Sequence, residues 1–99
     1  MTRAEFSKLA AAIRTYYPHN NALPNKEAME LWYAELGGLD YSLAAEVLRK
    51  HVRTEKWPPT IAELITGVEK TEKERYYKAL EDKLVYGIDE EDRRLIEGE

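Results

Sequence analysis

The chain has 99 residues, enough for one domain with a modest hydrophobic core, and it contains no cysteine. Disulfides, thiolate metal sites and cysteine nucleophiles are therefore excluded. The formal net charge of -4 argues against a general nucleic-acid coat, and no apolar run approaches the ~20 residues that a bilayer-spanning helix needs, so we expect a soluble, cytoplasmic protein.

The first part of the chain carries the signals of two helices. Thr2 and Glu5 have the spacing of a capping box, and apolar residues then recur at helical spacing until Pro18, which should end the first helix near Tyr16. A polar connection follows. It leads to Asn25, which is a good N-cap for a second helix.

A glycine pair, Gly37–Gly38, should end the second helix, and Asp40 can cap a third. Each helix has one apolar face, and cations in the last turns of the third suit the helix dipole. The apolar faces consist of Met29, Trp32, Tyr33 and Leu36 in the second helix and Leu43, Ala44, Val47, Leu48 and Val52 in the third.

The proline pair Pro58–Pro59 forces a sharp turn, because neither ring can continue a helix. Thr60 and Glu63 form a second capping box, which predicts that a fourth helix begins at Ile61, and Gly67 predicts a weak end for it. No stretch shows sustained apolar-polar alternation. We therefore expect an all-α fold, a small bundle of four short helices followed by a charged, partly helical C-terminal tail.

Trp57 directly precedes the proline turn, and two roles compete for it. A large ring beside a rigid turn is most commonly buried, where it closes the gap between two helices. The alternative is an exposed ring that anchors a partner. We favour the buried position.

The charge balance changes at about Val68. Residues 1–67 carry eight basic and eight acidic residues, whereas residues 68–99 carry seven basic and eleven acidic, which accounts for the net charge of -4. We therefore divide the chain into a helical bundle domain, 1–67, and a charged C-terminal segment, 68–99. Thr71 and Glu74 predict another capping box in this segment and a helix over about 71–86, followed by a flexible acidic end.

No residues combine into a catalytic, metal-binding or phosphate-binding motif. His19 and His51 each lack a second ligand at i+3 or i+4, so we predict both on the solvated surface. Gly37–Gly38 lacks the lysine and the strand context of a phosphate loop. We expect no enzyme, no metal and no cofactor.

A basic cluster near the end of the third helix, formed by Arg49, Arg53 and Lys56, could neutralise phosphates on one face. Glu46 and Glu55 flank it, and a helix surface of mixed sign is more often simply solvated. Direct nucleic-acid binding is therefore not expected. A DNA-binding replication-initiation module that uses these three cations is the alternative function.

Aromatic residues point to a protein-binding surface, since seven tyrosines and two tryptophans exceed the need of so small a core. In the adjacent pairs Tyr16–Tyr17 and Tyr76–Tyr77, the two rings point about 100° apart on a helix, so one of each pair should be partly exposed. We expect a monomer; self-association through Leu80 and Leu84 is a further alternative. The candidate partner-binding residues are Trp57, Tyr76, Tyr77, Leu80, Leu84, Ile88, Asp89, Glu90, Glu91, Asp92, Leu95 and Ile96.

Three motifs in order resemble the bacteriophage replicative-helicase loader and inhibitor family: Tyr16-Tyr17-Pro18, then Trp32 with Leu36, then Lys56-Trp57-Pro58-Pro59-Thr60-Ile61-Ala62-Glu63-Leu64. The resemblance covers roughly residues 5–67. It implies a small all-helical domain with a charged C-terminal segment. It also implies binding to a hexameric DnaB-type helicase, restraint of its ATPase and its delivery to an origin-bound initiator protein.

Overall fold

The computed structural model describes residues 1–86, which form four α-helices and no strand. The helices are α1 (Arg3–Tyr16), α2 (Lys26–Leu36), α3 (Tyr41–Thr54) and α4 (Ile61–Tyr86). The all-α prediction is confirmed. One part of it is wrong, because α4 is a single helix of 26 residues and not a short one.

Local cap chemistry sets the helix starts as predicted. At the start of α4, the Thr60 hydroxyl accepts the Glu63 N–H at 3.1 Å, and the Glu63 carboxylate accepts the Thr60 N–H at 3.2 Å. These two bonds satisfy donors that a helix N-terminus leaves without a partner. The other caps are Thr2, Asn25 and Asp40.

Helices α1 and α2 are antiparallel and are joined by a strained loop. Arg3 at the start of α1 pairs with Glu30 of α2 at 2.7 Å, and this hydrogen bond lowers the pKa of Glu30. At the other end of α1, Arg14 Nε donates to the carbonyl of Leu23 at 3.1 Å. Leu23 has a φ of 50°, a left-handed conformation that a leucine adopts only when other contacts hold it, and its side chain is buried in the core.

Helices α1 and α3 are parallel, as the contacts at both ends of α1 show. The N-terminal amino group of Met1 donates to the carbonyls of Gly37 at 2.6 Å and Leu39 at 2.8 Å, immediately before α3. Beyond the end of α1, the Tyr17 hydroxyl donates to the carbonyl of Glu55, immediately after α3, at 2.8 Å. Helix α4 then runs back along α3.

The core draws buried apolar side chains from all four helices and from the α1–α2 loop. Trp32, Tyr33 and Met29 of α2 are only half-buried and pack against its edge. The buried cluster consists of Phe6, Leu9, Ala10, Ile13, Leu23, Leu36, Leu43, Ala44, Leu48, Leu64 and Val68.

The predicted helix end at Gly67 and the predicted new cap at Thr71 are both wrong. Helix α4 continues through both residues, and the Thr71 hydroxyl donates backwards to the Gly67 carbonyl at 2.8 Å inside the helix. Gly67 has a packing role instead. A Cβ built there would lie 2.5 Å from Val47 Cγ1, so the glycine lets α4 pass close to α3. The charge boundary at Val68 therefore falls inside a continuous helix.

We expect Gly67→Ala to lower the free energy of unfolding by about 1–3 kcal/mol, because the added methyl group forces α3 and α4 apart. This loss should exceed the ~1 kcal/mol that alanine normally gains over glycine in a helix. Urea unfolding followed by circular dichroism measures it. Gly38→Ala is the control, since a Cβ at Gly38 would meet nothing within 4 Å. A stabilised Gly67→Ala variant would show that the two helices separate without cost.

Candidate functional site

The turn between α3 and α4 presents Trp57 to solvent, with 61% of the residue exposed. The predicted burial of this ring is therefore wrong. Pro59 is buried and Pro58 is half-buried, so the proline rings themselves close the gap between the helices and leave the indole outside. The Nζ atom of Lys56 lies 5.6 Å from the centre of the indole ring, within the range of a cation–π interaction.

His51 holds the backbone of this turn. Its Nε2 lies 2.8 Å from the carbonyl oxygen of Trp57, and because a carbonyl only accepts, Nε2 must carry the hydrogen. Its Nδ1 faces the Glu63 carboxylate at 3.8 Å, and its side chain is only 11% exposed. The predicted solvated position is therefore wrong for His51, which lies on the α4 side of α3. It is confirmed for His19, which is exposed.

Tyr17 supports the same turn from below. The ring is buried and lies edge-on to the ring of His51, with the two centres 6.3 Å apart. Burial, together with the carboxylates of Glu55 and Glu63, raises the pKa of Tyr17, so its hydroxyl keeps the proton that it donates to the Glu55 carbonyl. Tyr16 is 49% exposed, which confirms that this pair divides between core and surface.

The second half of α4 leaves the bundle. Arg75 pairs with Glu46 of α3 at the point where the helix departs, and every residue of 72–84 is exposed. Four large side chains, which the sequence predicted as partner-binding residues, lie on this half. They are Tyr76, Tyr77, Leu80 and Leu84, with exposed fractions of 63%, 65%, 39% and 63%.

These side chains form one surface, which we call the α4 stripe: Tyr76, Tyr77, Leu80 and Leu84. Tyr76, Leu80 and Leu84 follow each other at intervals of four residues, so they lie one above another on the helix. The two tyrosine rings contact edge to face, with centres 5.7 Å apart. The structure therefore brings the predicted residues of 76–84 together, and it places Trp57 at a separate turn.

The remaining predicted partner-binding residues lie outside the described range and stay predictions. They are Ile88, Asp89, Glu90, Glu91, Asp92, Leu95 and Ile96.

The predicted basic cluster is divided between a helix and a turn. Arg49 and Arg53 lie one helical turn apart on α3, and both are exposed. Lys56 follows the end of α3 and lies beside Trp57. Glu46 forms its ion pairs on the other side of α3, with Lys50 at 3.5 Å and with Arg75.

A groove between α1 and α3 was not predicted from the sequence. Its floor contains two alanines, Ala12 and Ala45, which lie on different helices and therefore leave no joint signal in the chain. The lining residues are Lys8, Leu9, Ala12, Tyr16, Tyr41, Ser42, Ala45, Leu48 and Arg49.

Within residues 1–86, no three histidine, aspartate or glutamate side chains lie close enough together to hold a metal ion. No helix of this range is both long enough and apolar enough to cross a membrane.

A small helical bundle that presents aromatic and leucine side chains on a fixed turn and on a projecting helix is a protein-interaction module. A family model for the N-terminal domain of phage helicase loaders and inhibitors matches residues 1–65, and the chain belongs to this family. Membership implies a phage replication protein that interacts with a helicase. Neither curated proteins nor solved structures gave a significant match. The family match ends at Ile65, before the α4 stripe.

Proposed function

We propose that the chain is a non-enzymatic adaptor of phage DNA replication that binds a hexameric DnaB-type helicase in the cytoplasm of the bacterial host. Through this contact it restrains the helicase ATPase or delivers the ring to an origin-bound initiator protein. Family membership supports the helicase as the partner. The observation that carries the proposal is the α4 stripe, which the bundle leaves uncovered.

The α4 stripe suits docking into a groove of the helicase. Helix α4 is about 39 Å long, and only its first half is covered by the other helices. Apolar side chains repeating every fourth residue along the second half match the way an amphipathic helix enters a hydrophobic groove. Each leucine that becomes buried would contribute about 1.5–3 kcal/mol to binding.

Trp57 supplies a second anchor of a different kind. Its backbone carbonyl is held by His51, so the turn loses little conformational freedom when the indole is buried. Tryptophans in such positions are enriched among the residues that dominate binding energy. The charged end of the chain, with Asp89, Glu90, Glu91 and Asp92, would meet basic residues at the rim of the contact.

An adaptor can restrain an ATPase without chemistry of its own. A helicase ring passes through several conformations while it hydrolyses ATP. A protein that binds one of them more tightly raises its population, by an amount set by the difference in affinity. The same energy can hold a ring in the state that accepts DNA.

The test measures binding of the full chain to a purified DnaB-type helicase by biolayer interferometry, together with the helicase ATPase rate. We expect Trp57→Ala to weaken binding by roughly 30-fold, since the loss of a buried tryptophan anchor costs about 2 kcal/mol or more. Its melting temperature should not change, because the ring is exposed. Leu31→Ala is the control, an exposed apolar residue on α2 that should leave binding unchanged.

Two results would contradict the proposal. One is a full chain that neither binds the helicase nor changes its ATPase. The other is micromolar binding to DNA that falls steeply with salt and is lost with Arg49, Arg53 and Lys56, which would favour the replication-initiation alternative.

A further inference from the structure

The groove between α1 and α3 lies on the opposite side of α3 from α4. Its α3 residues, from Tyr41 to Arg49, occupy one side of that helix, whereas Val47 and His51 face α4 on the other. The groove is thus separate from both the α4 stripe and Trp57. Its floor is apolar, with the buried side chains of Leu9 and Leu48 and the small side chains of two alanines.

The groove has a single sign of charge in a chain with a net charge of -4. Lys8 and Arg49 line it, and no carboxylate does. Both cations are exposed, and neither forms an ion pair with another residue of 1–86. The neighbouring groove between α3 and α4 differs, because it mixes cations with carboxylates: Lys50, His51 and Lys70 with Glu55, Glu63 and Glu74.

The dimensions of the groove match two turns of a helix. Lys8, Ala12 and Tyr16 follow each other at intervals of four residues on α1, so they span about 12 Å. Because α1 and α3 are parallel, Lys8 and Tyr41 lie toward one end of the groove and Tyr16 and Arg49 toward the other. An apolar floor with an aromatic wall and a cation at each end is the complement of a short amphipathic helix that carries acidic residues.

We propose that this groove binds an acidic amphipathic α-helix of a partner protein. Apolar side chains of that helix, spaced i, i+3 or i+4 and i+7, would cover Ala12 and Ala45, while its carboxylates would pair with Lys8 and Arg49. The apolar floor and the small number of cations distinguish the site from a nucleic-acid track, which needs a row of cations along the backbone. The proposal goes beyond helicase binding and does not depend on it.

A matched pair of variants tests the charge requirement. The probe is a fluorescein-labelled peptide of about 18 residues with leucine and alanine on one helical face and glutamate on the other, titrated with the full chain and followed by fluorescence anisotropy. We expect Arg49→Glu to weaken binding by roughly fivefold or more, as reversal of one exposed ion pair does. Lys50→Glu changes the adjacent residue identically but faces away from the groove, so it should leave the affinity unchanged.

A second variant tests the shape of the groove without altering its charge. Ala45→Phe places a ring over the floor between α1 and α3, and it should abolish peptide binding while the circular dichroism spectrum stays that of the parent. Amide chemical-shift changes in the parent should be confined to residues of α1 and α3. Variants of Trp57 or of the α4 stripe should bind the peptide normally, which separates this test from the helicase test.

Three outcomes would overturn the proposal. The first is equal affinity of the Arg49→Glu and Lys50→Glu variants. The second is equal binding of a peptide with lysine in place of glutamate, which would show that the groove does not select charge. The third is tighter binding of a single-stranded thymidine oligonucleotide than of the acidic peptide, which would assign the surface to nucleic acid.

Discussion

Leu64→Ala should lower the free energy of unfolding by about 2–5 kcal/mol. Leu64 is fully buried, and it belongs to the turn of α4 that packs into the core contributed by the other three helices. Removing three carbon atoms there loses burial and leaves a cavity that the surrounding helices fill only in part. The loss is a large share of the 5–15 kcal/mol that stabilises a typical domain, so the midpoint of urea unfolding should shift markedly.

Leu31→Ala provides the control with the same chemical change. Leu31 is 69% exposed on the outer side of α2, so its truncation should change the free energy of unfolding by no more than about 0.5 kcal/mol. If the two variants unfold at the same urea concentration, the first half of α4 does not form part of the cooperative core. The assignment of a four-helix core would then be wrong.

The helix starts could be predicted from the sequence because their chemistry is local. A hydroxyl or carboxylate at an N-cap reaches an N–H only three residues away, as Thr60 does with Glu63. Proline at position 18 and the pair Pro58–Pro59 act on their own backbone, so they also mark helix boundaries directly. These signals sufficed for the number of helices and for the starts of all four.

The end of α4 could not be predicted, because the reason for Gly67 lies on another helix. Within α4 alone, the glycine lowers helix propensity and suggests an end. Its Cβ position is occupied by the side chain of Val47, which comes close only after α3 and α4 pack. Thr71 and Glu74 likewise have capping-box spacing, but a hydroxyl inside a helix bonds back to a carbonyl four residues earlier.

The site residues were predicted in part. Tyr76, Tyr77, Leu80 and Leu84 were identified from their type and spacing, and the structure places all four on one exposed helix. The position of Trp57 depended on which side chain closes the proline turn, and the ring of Pro59 does so. The α1–α3 groove needs the parallel arrangement of two helices that are not consecutive in the chain. No pattern along the sequence indicates it.

The largest effect on function should come from the α4 stripe. We expect the double variant Leu80→Gln, Leu84→Gln to weaken helicase binding by roughly 100-fold, because two apolar anchors, each worth about 1.5 kcal/mol or more when buried, become polar. The melting temperature should stay that of the parent, since both side chains lie on the part of α4 that the bundle does not cover. Glutamine retains helix propensity, so α4 itself should persist. Interferometry against the helicase and a thermal melt measure the two quantities.

The matched control for this variant is the double change Ala79→Gln, Asp82→Gln on the same exposed half of α4 but away from Leu80 and Leu84. It introduces the same two glutamines and should leave helicase affinity within a factor of about two, because no apolar anchor is lost. Equal losses in both double variants would show that the helix, and not its apolar stripe, is what the partner needs. Sedimentation equilibrium distinguishes the remaining alternative: a parent dimer that dissociates only when Leu80 and Leu84 are replaced would assign the stripe to self-association, in place of the helicase.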